Sequence, residues 1–116
     1  MSSPIQNKIL TVFIPVSDME QAASWYCKLL GLPADGEVLF GHLYILPMQG
    51  AGIVLDSKIY SPEAVFKAPV VQFATDDIEQ SYAYMKSLGV RLVTGIENGH
   101  WFNFTDPDGN LLMVCK

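Results

Sequence analysis

The chain has 116 residues, with 12 Asp and Glu against 7 Lys and Arg and a formal net charge of -5. Half of the residues are hydrophobic and only 16% are charged, a balance that supports a buried core and excludes wholesale disorder. An acidic chain with scattered cations has no electrostatic footprint for nucleic acid, and no apolar run approaches the roughly 18–20 residues that span a bilayer, so neither partner is expected.

Residues 9–16 are β-branched, aliphatic and aromatic and read as a buried strand; Pro15, Asp18 and Glu20 do not fit a secretory leader. Ser17 with Glu20 has capping-box spacing, and Met19, Ala22, Ala23, Tyr26, Leu29 and Leu30 form one apolar helical stripe. Gly31 stands where a left-handed cap would end that helix. Three strand-like pieces follow, over residues 37–40, 42–47 and 52–57, separated by glycines, and a linker containing Pro62 covers residues 59–68. A second strand is predicted over residues 70–75. Its helix starts at Asp76 with Glu79, presents Ile78, Tyr82, Met85 and Leu88 on one face, and stops at Gly89. Strand-like pieces at residues 91–94, 100–105 and 111–115 complete the chain, the last two joined by the turn Asp106-Pro107-Asp108-Gly109.

The chain therefore repeats itself. Ser17-Asp18-Met19-Glu20-Gln21 matches Asp76-Asp77-Ile78-Glu79-Gln80, and both helices close on Leu-Gly, at Leu30-Gly31 and Leu88-Gly89. The expected fold is α+β: a single domain over residues 1–116 built from a βαβββ module at 8–58, a linker at 59–68 and a second βαβββ module at 69–116. The two modules would form a curved mixed sheet around a concave cleft on its helix-free face. Cys27 and Cys115 fit neither a disulfide framework nor a metal motif; as free thiols among apolar residues they point to a cytoplasmic protein.

With these residues laid out, the chain resembles the vicinal oxygen chelate superfamily of glyoxalase I, bleomycin-resistance proteins and extradiol dioxygenases. The resemblance rests on residues 12–32, with Ser17-Asp18, Trp25-Tyr26 and Leu30-Gly31-Leu32. It rests also on Asp76-Asp77-Ile78 and on residues 104–114 around Asp106-Pro107-Asp108-Gly109-Asn110. It implies the two-module fold and a homodimer. In metalloenzymes of the superfamily, His or Gln on the first strand of each module and Glu on the last strand of each hold a cation. Carried over one position at a time, those sites are Thr11, Val70, Met113 and Val54 (Ile53 if the register slips by one). One hydroxyl, aliphatic groups and a thioether cannot hold a hard or borderline divalent ion, so no metal and no cofactor are expected.

Alternation along strands adds Phe13, Gln72, Trp101 and Asn103 to Thr11, Val54, Val70 and Met113 as candidate ligand-binding residues in a mostly apolar cleft; the same residues could instead close a core or a dimer contact. Glu97 and His100 are the candidate acid/base pair, with a solvated hairpin as the plainer reading. His42 and His100 with Glu97 or Asp56 match no metal-ligand spacing. Three functions stay open. The first is a metal-free protein of the bleomycin-resistance type that sequesters or senses an apolar or cationic aromatic ligand. The second is a glyoxalase-like lyase or isomerase, or a dioxygenase, using a shifted metal or Glu97 and His100. The third is a dimeric interaction protein without a small ligand.

Overall fold

The computed structural model describes residues 2–116. The elements follow the order β1 (Thr11–Pro15), α1 (Met19–Leu30), β2 (Leu43–Leu46), β3 (Gly52–Asp56), β4 (Gln72–Ala74), α2 (Ile78–Ser87), β5 (Arg91–Leu92), β6 (Trp101–Thr105) and β7 (Leu111–Cys115). They form a three-stranded sheet, β1-β3-β2, and a four-stranded sheet, β4-β7-β6-β5. In each sheet the strand before the helix pairs in parallel with the last strand of its module, which pairs antiparallel with the strand before it. The expected α+β fold and its repeat are present.

Three details differ from the sequence expectation. Residues 37–40 form no strand; only the isolated bridge Leu39↔Leu43 remains. There the chain reverses sharply through Phe40 (φ 53°) and Gly41 (φ 76°), and the Gly36 N–H donates to the buried Tyr44 hydroxyl instead of to a strand neighbour. A side chain at position 36 would stand 2.9 Å from that hydroxyl, so this approach requires glycine. The first strand starts at Thr11, leaving Ile9 and Leu10 exposed at 67% and 77% rather than buried. Both helices are capped one residue later than expected, by Asp18 onto the Gln21 N–H and by Asp77 onto the Gln80 N–H. Ser17 is free for another partner, described below.

The predicted stripe of α1 is largely the buried one: Met19, Ala22, Ala23, Tyr26 and Leu29 are buried, joined by Cys27. Gly31 ends this helix in the left-handed region at φ 67°. The α2 stripe is thinner, with Ile78 and Met85 buried and Tyr82 set edge-on against Phe102, ring centroids 5.0 Å apart. One face of each sheet enters a single core: Ile14, Tyr44, Leu46 and Leu55 from the first sheet, and Phe73, Phe102, Phe104 and Leu112 from the second.

A polar knot ties the modules together at the turn between β6 and β7. The buried Asp106 carboxylate accepts from the Tyr26 hydroxyl of α1, from the Asp108 and Asn110 backbone N–H groups and from the Asn110 amide. The fully buried Asn110 also donates to the Pro15 carbonyl at the end of β1 and accepts from the Phe66 N–H in the linker. Ser17 donates from its N–H and its hydroxyl to Asp108, and the Tyr84 hydroxyl of α2 donates to the Lys28 carbonyl of α1. Every polar side-chain atom of Asp106 and Asn110 is used, which buried polar groups require.

Burial, and then the charge and hydrogen bond of Asp106 and the charge of Asp108, raise the Tyr26 pKa well above 10.0. The folded protein therefore keeps the phenol proton where the unfolded chain loses it. Stability from this group is complete below pH 10.0 and declines as pH rises above that value toward the folded pKa. Urea unfolding of Tyr26→Phe at pH 7 should show a loss of about 1.5–3 kcal/mol, the range for a hydrogen bond to a charged group, and a shallower alkaline decline than the parent protein. In Asn110→Leu the Pro15 carbonyl and Phe66 N–H lose their partners; the loss should be larger, about 3 kcal/mol or more.

Candidate ligand-binding faces

Because side chains alternate across a strand, the residues opposite the core share the helix-free faces. The registers arrange them in rows. On the first sheet Phe13, Val54 and Ile45 stand side by side. On the second, Gln72, Met113 and Asn103 do so, with Ala74, Cys115 and Trp101 forming the next row. The rows are equivalent in the repeat: the 59-residue offset carries Phe13 onto Gln72 and Val54 onto Met113. One module thus presents three hydrocarbons where the other presents two amides and a thioether.

Thr11 lies on the first face opposite Gly52, and Val70 lies one residue before the chain enters β4 through Val71 and Gln72, at 64% exposure. Phe13 and Ile45 are exposed at 46% and 56%, Trp101, Asn103 and Met113 are half-buried, and Val54 is buried. Seven of the eight sequence-derived positions therefore belong to strands β1, β3, β4, β6 and β7, and Val70 adjoins β4. The sequence reading missed Ile45. Its alternation with buried Tyr44 and Leu46 was visible, but its place beside Val54 depends on the β2–β3 register.

The four positions that would carry a superfamily metal do not fit one. Val54 and Val70 have no donor atom, Thr11 offers a hydroxyl, and the Met113 thioether already accepts from the Gln72 amide at 3.1 Å. Among the described residues no three His, Cys, Asp or Glu side chains come together as a metal-holding group.

Glu97 and His100 flank a tight turn in which Asn98 (φ 51°) and Gly99 (φ 66°) both take left-handed backbone. Glu97 and Trp101 bridge across it, and the His100 ring nitrogen Nδ1 bonds the Asn98 carbonyl at 2.6 Å. Both side chains are exposed, and no hydrogen bond joins them to each other. The His42 Nδ1 is likewise engaged with its own loop, at the Phe40 carbonyl. Cys27 and Cys115 are free, Cys27 buried and Cys115 half-buried.

Two clefts lie between other elements. An apolar one of about 620 Å³ runs between the β1 end of the first module and β4, lined by Val12, Leu30, Leu32, Met48, Ile53 and Phe73 together with Val70 and Gln72. A polar one of about 500 Å³ lies between Trp25 and the turn at residues 106–109. Thr11, Phe13, Val54, Trp101, Asn103 and Met113 line neither. No helix is long and apolar enough to cross a membrane among the described residues.

The fold recurs in solved structures. The antibiotic binding protein TnmS3 from Streptomyces sp. CB03234 is 23% identical at a TM-score of 0.71, the match covering 98% of this chain and 98% of that one. Lactoylglutathione lyase from Agrobacterium tumefaciens is 19% identical at a TM-score of 0.70, over 97% and 95% of the two chains. The trypanothione-dependent glyoxalase I of Leishmania major is 18% identical at a TM-score of 0.68, over 96% and 87%. No curated protein sequence matches the chain. A family description matches residues 8–114, nearly the whole chain, and with the paired modules and their two strand-helix junctions it leads to one statement: the chain belongs to the Glyoxalase/Bleomycin resistance protein/Dioxygenase superfamily.

Proposed function

We propose that this protein is a metal-independent binder of small molecules, which holds an apolar or cationic aromatic ligand against its helix-free sheet faces. The observation that carries the reading is the composition of the equivalent rows. Half-exposed Phe13 and Ile45 on one module, and Trp101 and Met113 with the amides of Gln72 and Asn103 on the other, share the faces on which the superfamily's metal positions, here Thr11, Val54, Val70 and Met113, offer no imidazole or carboxylate. Ligand pockets are built this way, from apolar and aromatic surface with a few placed polar groups. A Trp face attracts a desolvated cation, and a net charge of -5 favours cationic over anionic ligands. TnmS3, which shares the fold at similar length, is described as an antibiotic binding protein, and the present chain fits the same kind of task. The enzymatic alternative has no comparable support, because Glu97 and His100 sit on an exposed turn and no hydrogen bond joins their side chains.

The binding unit in this reading is a homodimer. The strands β1 and β4 are each at a sheet edge, and their unpaired backbone groups form a template for a second chain. Exposed Ile9, Leu10, Phe13, Ile45 and Val70 supply apolar surface for the same contact. The two free thiols suit a reducing compartment such as the cytoplasm.

Thermal-shift screening tests the first part. A planar aromatic cation at about 100 times its dissociation constant should stabilise the protein by about 2.7 kcal/mol, while Zn, Ni and Mn ions should leave the melting temperature unchanged. Saturable stabilisation by a stoichiometric divalent ion would overturn the metal-independent reading. Sedimentation at micromolar concentration should give the mass of a dimer; a monomer would remove the second part.

A further inference from the structure

The row Gln72–Met113–Asn103 contains an unmet demand. The Asn103 side-chain carbonyl oxygen is shielded from solvent and accepts no hydrogen bond. The backbone of Asn103 is satisfied, its N–H bonding Thr94 Oγ1 at 2.9 Å and its carbonyl accepting from Val93, so the side chain alone is left over. Across the row, the Gln72 amide nitrogen finds, among the described residues, only the Met113 sulfur, a weak acceptor, at 3.1 Å. Between the two amides stands the most adaptable of side chains, an unbranched thioether with three rotatable bonds. An orphaned buried acceptor costs free energy comparable to a lost hydrogen bond, and such groups in a native fold call for a partner.

We infer that Asn103 and Gln72 are a specificity pair that selects flat ligands bearing a hydrogen-bond donor on one edge and an acceptor on the other. Met113 rotates off the row as the ligand enters. The Asn103 carbonyl then accepts from a ligand N–H, and the Gln72 amide donates to a ligand carbonyl in place of sulfur. The strands β4 and β6 that carry the pair are separated by β7, so their backbones stand about 10 Å apart. Two amides across that span match the opposite edges of a fused-ring system carrying a carbonyl and an N–H. This rests on the ligand-binding reading above and narrows it from any aromatic to donor–acceptor aromatics such as cyclic vinylogous amides.

Fluorescence titration with three probes tests it: acridone, which has N–H and carbonyl on opposite edges; 10-methylacridone, which keeps the carbonyl but lacks the donor; and 10-methylacridinium, a flat cation with neither. The parent protein should prefer acridone over 10-methylacridone by about ten-fold, equivalent to about 1.4 kcal/mol and the scale of one hydrogen bond. Asn103→Leu should erase that preference by weakening acridone alone. The exposed Gln72→Leu, which leaves the core untouched, should weaken both carbonyl-bearing probes and leave 10-methylacridinium unaffected. Equal affinity of the parent for acridone and 10-methylacridone overturns the inference, as does a preference that survives in Asn103→Leu or unchanged affinities in Gln72→Leu. Binding of 10-methylacridinium without any such discrimination sinks the specificity pair and leaves the binder intact. Binding of none of the three sinks both.

Discussion

A carboxylate buried without a cation organises this fold. Asp106 sits in the turn between β6 and β7 with no Lys or Arg against it among the described residues; its charge is met by a phenol, an amide and two backbone N–H groups. Those donors come from both modules, since Tyr26 belongs to α1 and Asn110 reaches back to Pro15 at the end of β1. Desolvating a carboxylate is tolerable only when each such donor is in place. The second module's hairpin can therefore close properly only against the first module's helix. Apolar packing supplies the bulk of the core, and this network fixes how the two halves meet.

The local periodicities were legible in the sequence, and the long-range pairings much less so. Alternation and the 3.6-residue stripe located both helices, and the repeat located the modules, because those signals depend on neighbours a few residues apart. The missing strand at residues 37–40 depended instead on a tyrosine eight positions away taking up the Gly36 N–H, and composition does not show that. The α1 cap slipped by one because Ser17 and Asp18 are both competent caps. The choice was settled by Asp108, far along the chain, which engages Ser17 and leaves Asp18 to cap α1. Tyr26 read as an ordinary core aromatic; only the fold brings its hydroxyl to Asp106.

The candidate site shows the same division. Which residues share the helix-free faces followed from strand alternation, but which of them stand beside one another followed from register. Ile45 enters its row only once β2 is paired with β3. The repeat has kept the geometry of the two faces while letting their chemistry diverge, with Phe13 and Val54 in one module opposed by Gln72 and Met113 in the other.

The placement of the chain's two tryptophans has a practical corollary. Trp25 stands edge-on to Tyr26, ring centroids 4.9 Å apart, beside the knot that joins the halves, whereas Trp101 lies on the open face of the second sheet. Their indole emission therefore reports on separate events. With Trp101 replaced by phenylalanine the remaining signal follows parting of the halves; with Trp25 replaced it follows changes around the exposed face of the second sheet. The polypeptide carries a built-in optical gauge at its seam and another on its open sheet face.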